Sequence, residues 1–189
     1  MRNGEATRRE IERSALELFV EKGVSETSIK DISRRANIAD GTMYRHYESK
    51  NSLAEKIFVS AYLYMTNKIA HRVAALETLD EKLSYIINYF CKSFDGNKML
   101  LTFLLRMQYS QSQHINENPN SVYKTLIRVF EAHLPEDNIY KHQPELGAMI
   151  FIGIVSQAGI DRVYGRTERS MMEDYEFLKR AAFHAIDIE

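Results

Sequence analysis

Tryptophan is absent from this 189-residue chain, cysteine occurs once and proline three times. One thiol excludes an intramolecular disulfide and fits a reducing cytoplasm. The thiol, Cys91, falls on an apolar helical stripe and reads as inert core. Pro119 lies in a polar loop, while Pro135 and Pro144 fall where one helix should stop and another start. An excess of either charge is also missing: 25 Lys and Arg face 26 Asp and Glu, a formal charge of −1. Residues 1–50 are nearly balanced too, so any affinity for nucleic acid must come from the placement of charges. The apolar runs Met99–Leu101 and Phe103–Leu105 fall far short of the roughly 20 residues a membrane span needs. The polar start MRNGEATRRE does not read as a signal peptide. No internal repeat or low-complexity tract is visible, and 189 residues suffice to bury a core.

Catalytic signatures are lacking as well. There is no Gly-rich phosphate loop, no G-x-S-x-G and no H-E-x-x-H. His71, His114, His133, His142 and His184 are scattered without metal-ligand spacing. We therefore expect no enzyme activity, no catalytic residue, no metal and no cofactor.

What is there centres on residues 27–47, TSIKDISRRANIADGTMYRHY. The stretch predicts a helix from Ser28 to Arg35 capped by Thr27, a turn over Ala36–Ala39, and a second helix capped by Asp40 and running to Tyr47. Ile29, Ile32 and Ala36 form the apolar face of the first helix. Asn37 suits the positive φ needed to leave it. Met43 and Tyr47 can face inward from the second helix, which leaves Thr42, Arg45 and His46 outward. A buried elbow that holds a short helix proud of the surface is helix-turn-helix chemistry, suited to a DNA major groove.

Gly41-Thr42-Met43-Tyr44-Arg45-His46-Tyr47, followed by Ser49-Lys50 and Leu53, resembles the recognition helix and following helix start of TetR-type bacterial transcriptional regulators. Ala15, Leu18-Phe19, Gly23, Thr27-Ser28-Ile29 and Ile32 agree with the same pattern. The resemblance covers about the first 55 residues; the remainder is similar only in length and helical character. It implies an all-α fold, with an N-terminal three-helix DNA-binding domain over 1–50 and a helical bundle for effector binding and dimerisation over 51–189. A helix over about 50–75 should link them.

The resemblance assigns roles to individual residues. Thr42 and Arg45 would meet base edges, where Arg can pair bidentately with guanine. Tyr44 and His46 would touch the DNA backbone, with Thr27 or Ser28 and Lys50 adding phosphate contacts, and Lys30 is a further candidate for DNA contact. Gly41 would let the backbone approach closely. Asp40 departs from the Ser or Lys common at its position and reads as a cap. Arg8, Arg9 and Arg13 read either as a solvated face or as flanking phosphate contacts, and the alternative for Tyr44 is packing on the first helix.

The rest of the chain reads as helices. The first should span about Thr7–Lys22 with Gly23 ending it, and the linking helix should start at a Ser49 cap. Thr78–Glu81 and Ser170–Glu173 are capping boxes that should each open a helix. Lys98–Tyr109 is apolar on nearly all sides, Gln111–Ser121 reads as loop, and Tyr123–Phe130 marks another helix. A glycine-rich helix should run from Pro144 to about Tyr164. Tyr62, Met65, Tyr85, Tyr89, Phe90, Phe103, Met107 and Tyr123 could line a pocket for a largely apolar effector, although the same residues suit a plain core. Gly147, Ile150, Gly153, Ile154, Ala158, Leu178 and Ala182 could form a homodimer interface, or the glycines could pack within one subunit. The expected partners are thus palindromic double-stranded DNA, a small molecule and a second copy, with no membrane. The rival reading is an all-helical protein-interaction adaptor whose helix-turn-helix is only structural.

Overall fold

The computed structural model describes residues 4–188. Among them are ten helices and no strand, so the fold is all-α. Helix α1 (Gly4–Glu26) is broken at Gly23, whose φ of 88° is open to glycine without steric cost. Thr7, Ile11, Ser14, Ala15, Leu18 and Phe19 are its buried positions. Helix α2 (Ile29–Arg35) leaves through Asn37 at φ 52°, as the turn chemistry predicts. Helix α3 (Asp40–His46) buries Met43 and is followed by the buried Tyr47. Its cap is one residue earlier than expected: Ala39 is the N-cap, without a side-chain bond, and Asp40 occupies the first turn, where an acid suits the helix dipole.

Helix α4 (Lys50–Ala75) is capped by Ser49, whose hydroxyl accepts from the Ser52 N–H at 3.0 Å. Helix α5 (Leu79–Gly96) opens on the complete Thr78–Glu81 capping box. Helix α6 (Lys98–Met107) buries Leu101, Thr102, Phe103 and Leu104. The segment read as loop, 111–121, holds a six-residue helix α7 (Ser112–Glu117) with no fully buried residue. Its Ser, Gln and Asn content hid it, since those residues prefer turns. Helices α8 (Val122–His133) and α9 (Pro144–Val163) follow, with Gly165 at φ 69° just beyond the latter.

The second capping box forms, but it closes one turn rather than a helix. The Met171 and Met172 N–H groups donate to the Asp95 carboxylate at 2.8 and 2.9 Å, and helix α10 (Tyr175–Ala185) starts only after that. Asn138 ties the end of the chain down by donating to the carbonyls of Ile186 and Asp187. Lys82 closes the far end of α4 by donating to the carbonyls of Val73 and Leu76. By length and composition α9 could cross a membrane, which the short apolar runs did not suggest. One core runs from Ile11 to Ile186, and the Phe19–Phe103 stack at 5.9 Å carries it from α1 into α6.

Candidate nucleic-acid interface

Ser28, not Thr27, caps α2. Its hydroxyl accepts from the Asp31 N–H at 3.1 Å, while the Asp31 carboxylate accepts from the Ser28 N–H at 3.0 Å. Lys22 adds an ion pair at 2.8 Å, and the Lys22 ammonium followed by the two Ser28 donors holds the Asp31 carboxyl well below its ordinary range. Thr27 is turned inward instead, donating its hydroxyl to the Gly23 carbonyl at 2.7 Å. That burial removes its side chain from the expected phosphate contacts. Tyr47 locks α3 against α1 by donating to the Glu12 carboxylate at 2.5 Å, and burial raises its phenol pKa.

The outer side of this elbow carries the expected set. Gly41, Arg45, Ser28 and Lys30 are exposed, Thr42 and His46 half-buried. Tyr44 is 60% exposed rather than packed on α1. The Arg45 guanidinium donates to the Thr42 hydroxyl at 3.1 Å, so the two expected base-facing side chains form one unit. Tyr44, Ser28, Ser49 and Lys50 line one shallow concavity where α2 and α4 both begin. Lys50 donates to the carbonyls of Ser25 and Thr27, which holds its ammonium at that rim.

Charge placement resolves the near-neutral balance. Arg8, Arg9, Arg13, Lys22 and Arg35 are each paired with a carboxylate, so the α1 arginines are a solvated, self-neutralised face. Lys30, Arg34, Arg45 and Lys50 make no ion pair among the described residues. Within residues 4–50 the unneutralised cations therefore belong to α2, α3 and the start of α4.

A cavity of about 380 Å³ lies in the C-terminal bundle between α4, α5, α6, α8 and α9. Its walls include Phe58, Tyr62 and Met65 of α4, Leu101 and Leu104 of α6, and Phe151 and Val155 of α9, and none of the lining residues is charged. Burial pushes the Tyr62 phenol up to about 12, so it stays neutral at any physiological pH. The same effect pushes the nearby core thiol of Cys91 up to about 11 and keeps it unreactive.

Residues 11–57, spanning these three helices and the start of α4, match the family profile described as bacterial regulatory proteins, tetR family. That match covers about a quarter of the chain, and over it the chain is similar to the tetR family. The chain is 33% identical over 106 residues to the transposon Tn10 TetC protein of Escherichia coli, an alignment covering 52% of this chain and 50% of TetC. It is 32% identical over 91 residues to a probable acrEF/envCD operon repressor of Escherichia coli (strain K12), covering 46% and 41%. The chain thus spans half or less of these curated relatives. Over the whole fold it is similar to the crystal structure of the transcriptional regulator FadR from Bacillus subtilis in complex with stearoyl-CoA. That likeness has a TM-score of 0.78 at 18% identity and covers 94% of this chain and 98% of that one.

The structure brings together only half of the expected pocket set. Tyr62, Met65, Phe90 and Tyr123 line the cavity. Phe103 instead stacks on Phe19, Tyr85 and Tyr89 pair with each other at 6.0 Å, and Met107 is not among the cavity walls. Phe58, Ile69, Leu104 and Met149 are lining residues that sequence reasoning missed. Among the expected interface residues, Gly147 and Ala182 are buried inside the subunit. An added Cβ at Gly147 would lie 3.1 Å from Tyr140 and 3.2 Å from Phe130. Gly153 lines the cavity, whereas Ile150, Ile154, Ala158 and Leu178 keep partial exposure.

Helix α6 joins the two sites. Leu101, Leu104 and Leu105 face the cavity, while Phe103 stacks on Phe19 and Arg106 donates to the Val20 carbonyl at 2.7 Å. Side chains of α6 thus meet both the cavity and α1.

Proposed function

We propose that this chain is a ligand-responsive DNA-binding transcriptional regulator of the repressor kind, released from its operator by an apolar small molecule. It works by binding, in the cytoplasm, rather than by catalysis. Residues 1–50 carry the DNA contacts and residues 51–189 carry effector binding and dimerisation. The observation that supports this best is the path from an uncharged cavity through α6 to α1, against which α2 packs and to which Tyr47 ties the end of α3. Thr42 and Arg45 read base edges, and Ser28, Lys30, Tyr44, His46 and Lys50 hold the phosphates; these fix register but carry no sequence information. Gly41 opens the approach.

A homodimer supplies the second α3, so that two half-sites one or more helical turns apart are read together. Ile150, Ile154 and Ala158 of α9 and Phe177 of α10, the last 65% exposed, give each subunit an apolar face for the other. That face also accounts for the apolar length of α9 without a membrane. Met149 and Gly153 are exposed on α9 and line the cavity, so the cavity opens beside the proposed interface.

A charge-free lining selects a neutral apolar molecule, or the apolar chain of an amphiphile whose charged head stays outside. The bound stearoyl-CoA of the similarly folded FadR is an amphiphile of that kind. Ligand then favours one of two dimer shapes, and the shift is limited by its differential affinity for them. Selection of bound fragments from random DNA at low salt tests the reading. Enrichment of a two-fold symmetric sequence, and its release by acyl-CoA esters or neutral apolar compounds, is expected. No enrichment returns the chain to the adaptor reading; enrichment without release by any apolar compound removes the cavity from the mechanism.

A further inference from the structure

A second concavity, of about 600 Å³, lies on the opposite side of the α4–α8 contact. Helix α4 turns Tyr62, Met65 and Ile69 to the apolar cavity but Asn67 and His71 to this groove. Lys82 of α5 and Thr125, Arg128 and His133 of α8 complete it, and no carboxylate is among its lining residues. None of His71, Lys82, Arg128 and His133 makes an ion pair among the described residues. Glu81, next in sequence to Lys82, directs its carboxylate to the N–H groups of Glu77 and Thr78 and the Thr78 hydroxyl.

The cations are held in place. Lys82 is only 5% exposed and anchored by the carbonyls of Val73 and Leu76. Closing the end of α4 explains Lys82 but not Arg128. The Arg128 guanidinium donates to the Pro119 carbonyl at 2.9 Å and to the Thr125 hydroxyl at 3.2 Å. Two of its five N–H groups are thus engaged and the rest remain for a ligand. Burial, then the charges of Lys82 and Lys141, lower the pKa of His133, so this imidazole already senses a positive field. Fixed cations in a concave wall concentrate that field on an incoming anion.

We propose that this groove is a second ligand site, for a small phosphate-bearing anion, separate from the apolar cavity. Operator phosphate is not that anion: His71 lies about 30 Å along α4 from Lys50 at the helical rise of about 1.5 Å per residue. Planar donors and ammonium together suit phosphate oxygens. The inference stands whether or not the chain binds DNA.

The test is a titration of the full chain with inorganic phosphate and pyrophosphate, followed by the ring resonances of His71, His133 and His114. Ionic strength is matched throughout with sodium chloride. Saturable shifts at His71 and His133 are expected, with the apparent pKa of His133 rising and His114 unmoved. Arg128→Gln should weaken binding about tenfold, the usual scale of one charged hydrogen bond. If that variant loses its helical spectrum, His71→Gln replaces it, with a severalfold weakening expected. Shifts that sodium chloride reproduces, or unchanged affinity in a folded variant, would overturn the proposal.

Discussion

The three N-terminal helices close over a small core of Ile11, Ala15, Leu18, Phe19, Ile32 and Met43, whereas the longer C-terminal helices enclose an apolar space of about 380 Å³. Both regions use the same residue classes, so the difference is one of geometry. In a seven-residue helix such as α3, an apolar side chain that is buried at all has one place to go. In helices of 18 to 26 residues, such as α5 and α4, an aromatic can meet another side chain, the neighbouring domain or empty space. A small tight unit fixes what it exposes; a larger loose one keeps room for a guest.

The sharpest way to break this comparison is to truncate two residues that composition treats alike. Phe103→Ala removes a buried ring stacked on Phe19 and should cost about 3–5 kcal/mol. Met65→Ala only enlarges an existing cavity and should cost roughly 1 kcal/mol or less while weakening ligand binding. Denaturant unfolding of both variants checks the contrast, and equal losses would make the cavity ordinary core.

This pair also shows what was legible in the sequence. Helices α1 to α4 could be read closely because caps, a glycine stop and short stripes all act locally. The cap of α2 was still displaced by one residue. Thr27 and Ser28 are both able caps, and the reciprocal Ser28–Asp31 box together with the bond from Thr27 to the Gly23 carbonyl chooses between them. The pocket was read from aromatic and Met content, which does not record direction. Extending Tyr62 and Met65 along their own helical face reaches Phe58 and Ile69, both lining residues. The same register argument sets Leu101, Leu104 and Leu105 of α6 together with Gln108 at its C-cap. Phe103 falls between them and so points to α1.

The second prediction concerns the exposed apolar face that the N-terminal unit does not have. Ile154→Glu should convert a dimer to monomers by sedimentation while leaving the helical spectrum intact, because Ile154 is only partly covered within the subunit. A dimer that persists would move the interface off α9.

The next two predictions separate stability from recognition inside the N-terminal unit. Arg45 is exposed and its guanidinium bonds to the neighbouring Thr42 hydroxyl, so Arg45→Ala should leave the melting temperature unchanged. It should relax base preference at one position per half-site, worth about 1–3 kcal/mol of discrimination. Unchanged preference in a repeated DNA selection removes Arg45 from base reading. Lys50→Ala acts more evenly: it should weaken binding to all sequences and lower the salt slope by about one counterion per subunit. It should also loosen the joint at Ser25 and Thr27, whose carbonyls Lys50 bridges. A slope that does not change leaves Lys50 as a purely structural clasp.

The smallest effect compares one device placed in both regions. Asp31 and Glu81 each complete a capping box, and both carboxyls are held below their ordinary values. Glu81 relies on the N–H and hydroxyl of Thr78, then the Glu77 N–H, whereas Asp31 has the Lys22 ammonium as its largest cause. A carboxyl depressed in the folded state stabilises the fold above its unfolded pKa, near 4 for both residue types. That contribution fades as pH falls through the folded value. On acidification the α5 cap should therefore weaken first, and the α2 cap only at lower pH. Carboxyl resonances followed below pH 5 read the order directly. Lys22→Met should bring the Asp31 midpoint up towards that of Glu81 and leave Glu81 where it was. If the two midpoints already coincide in the unaltered chain, the ammonium adds nothing, and the N-terminal unit is no more firmly pinned at this joint than the bundle is.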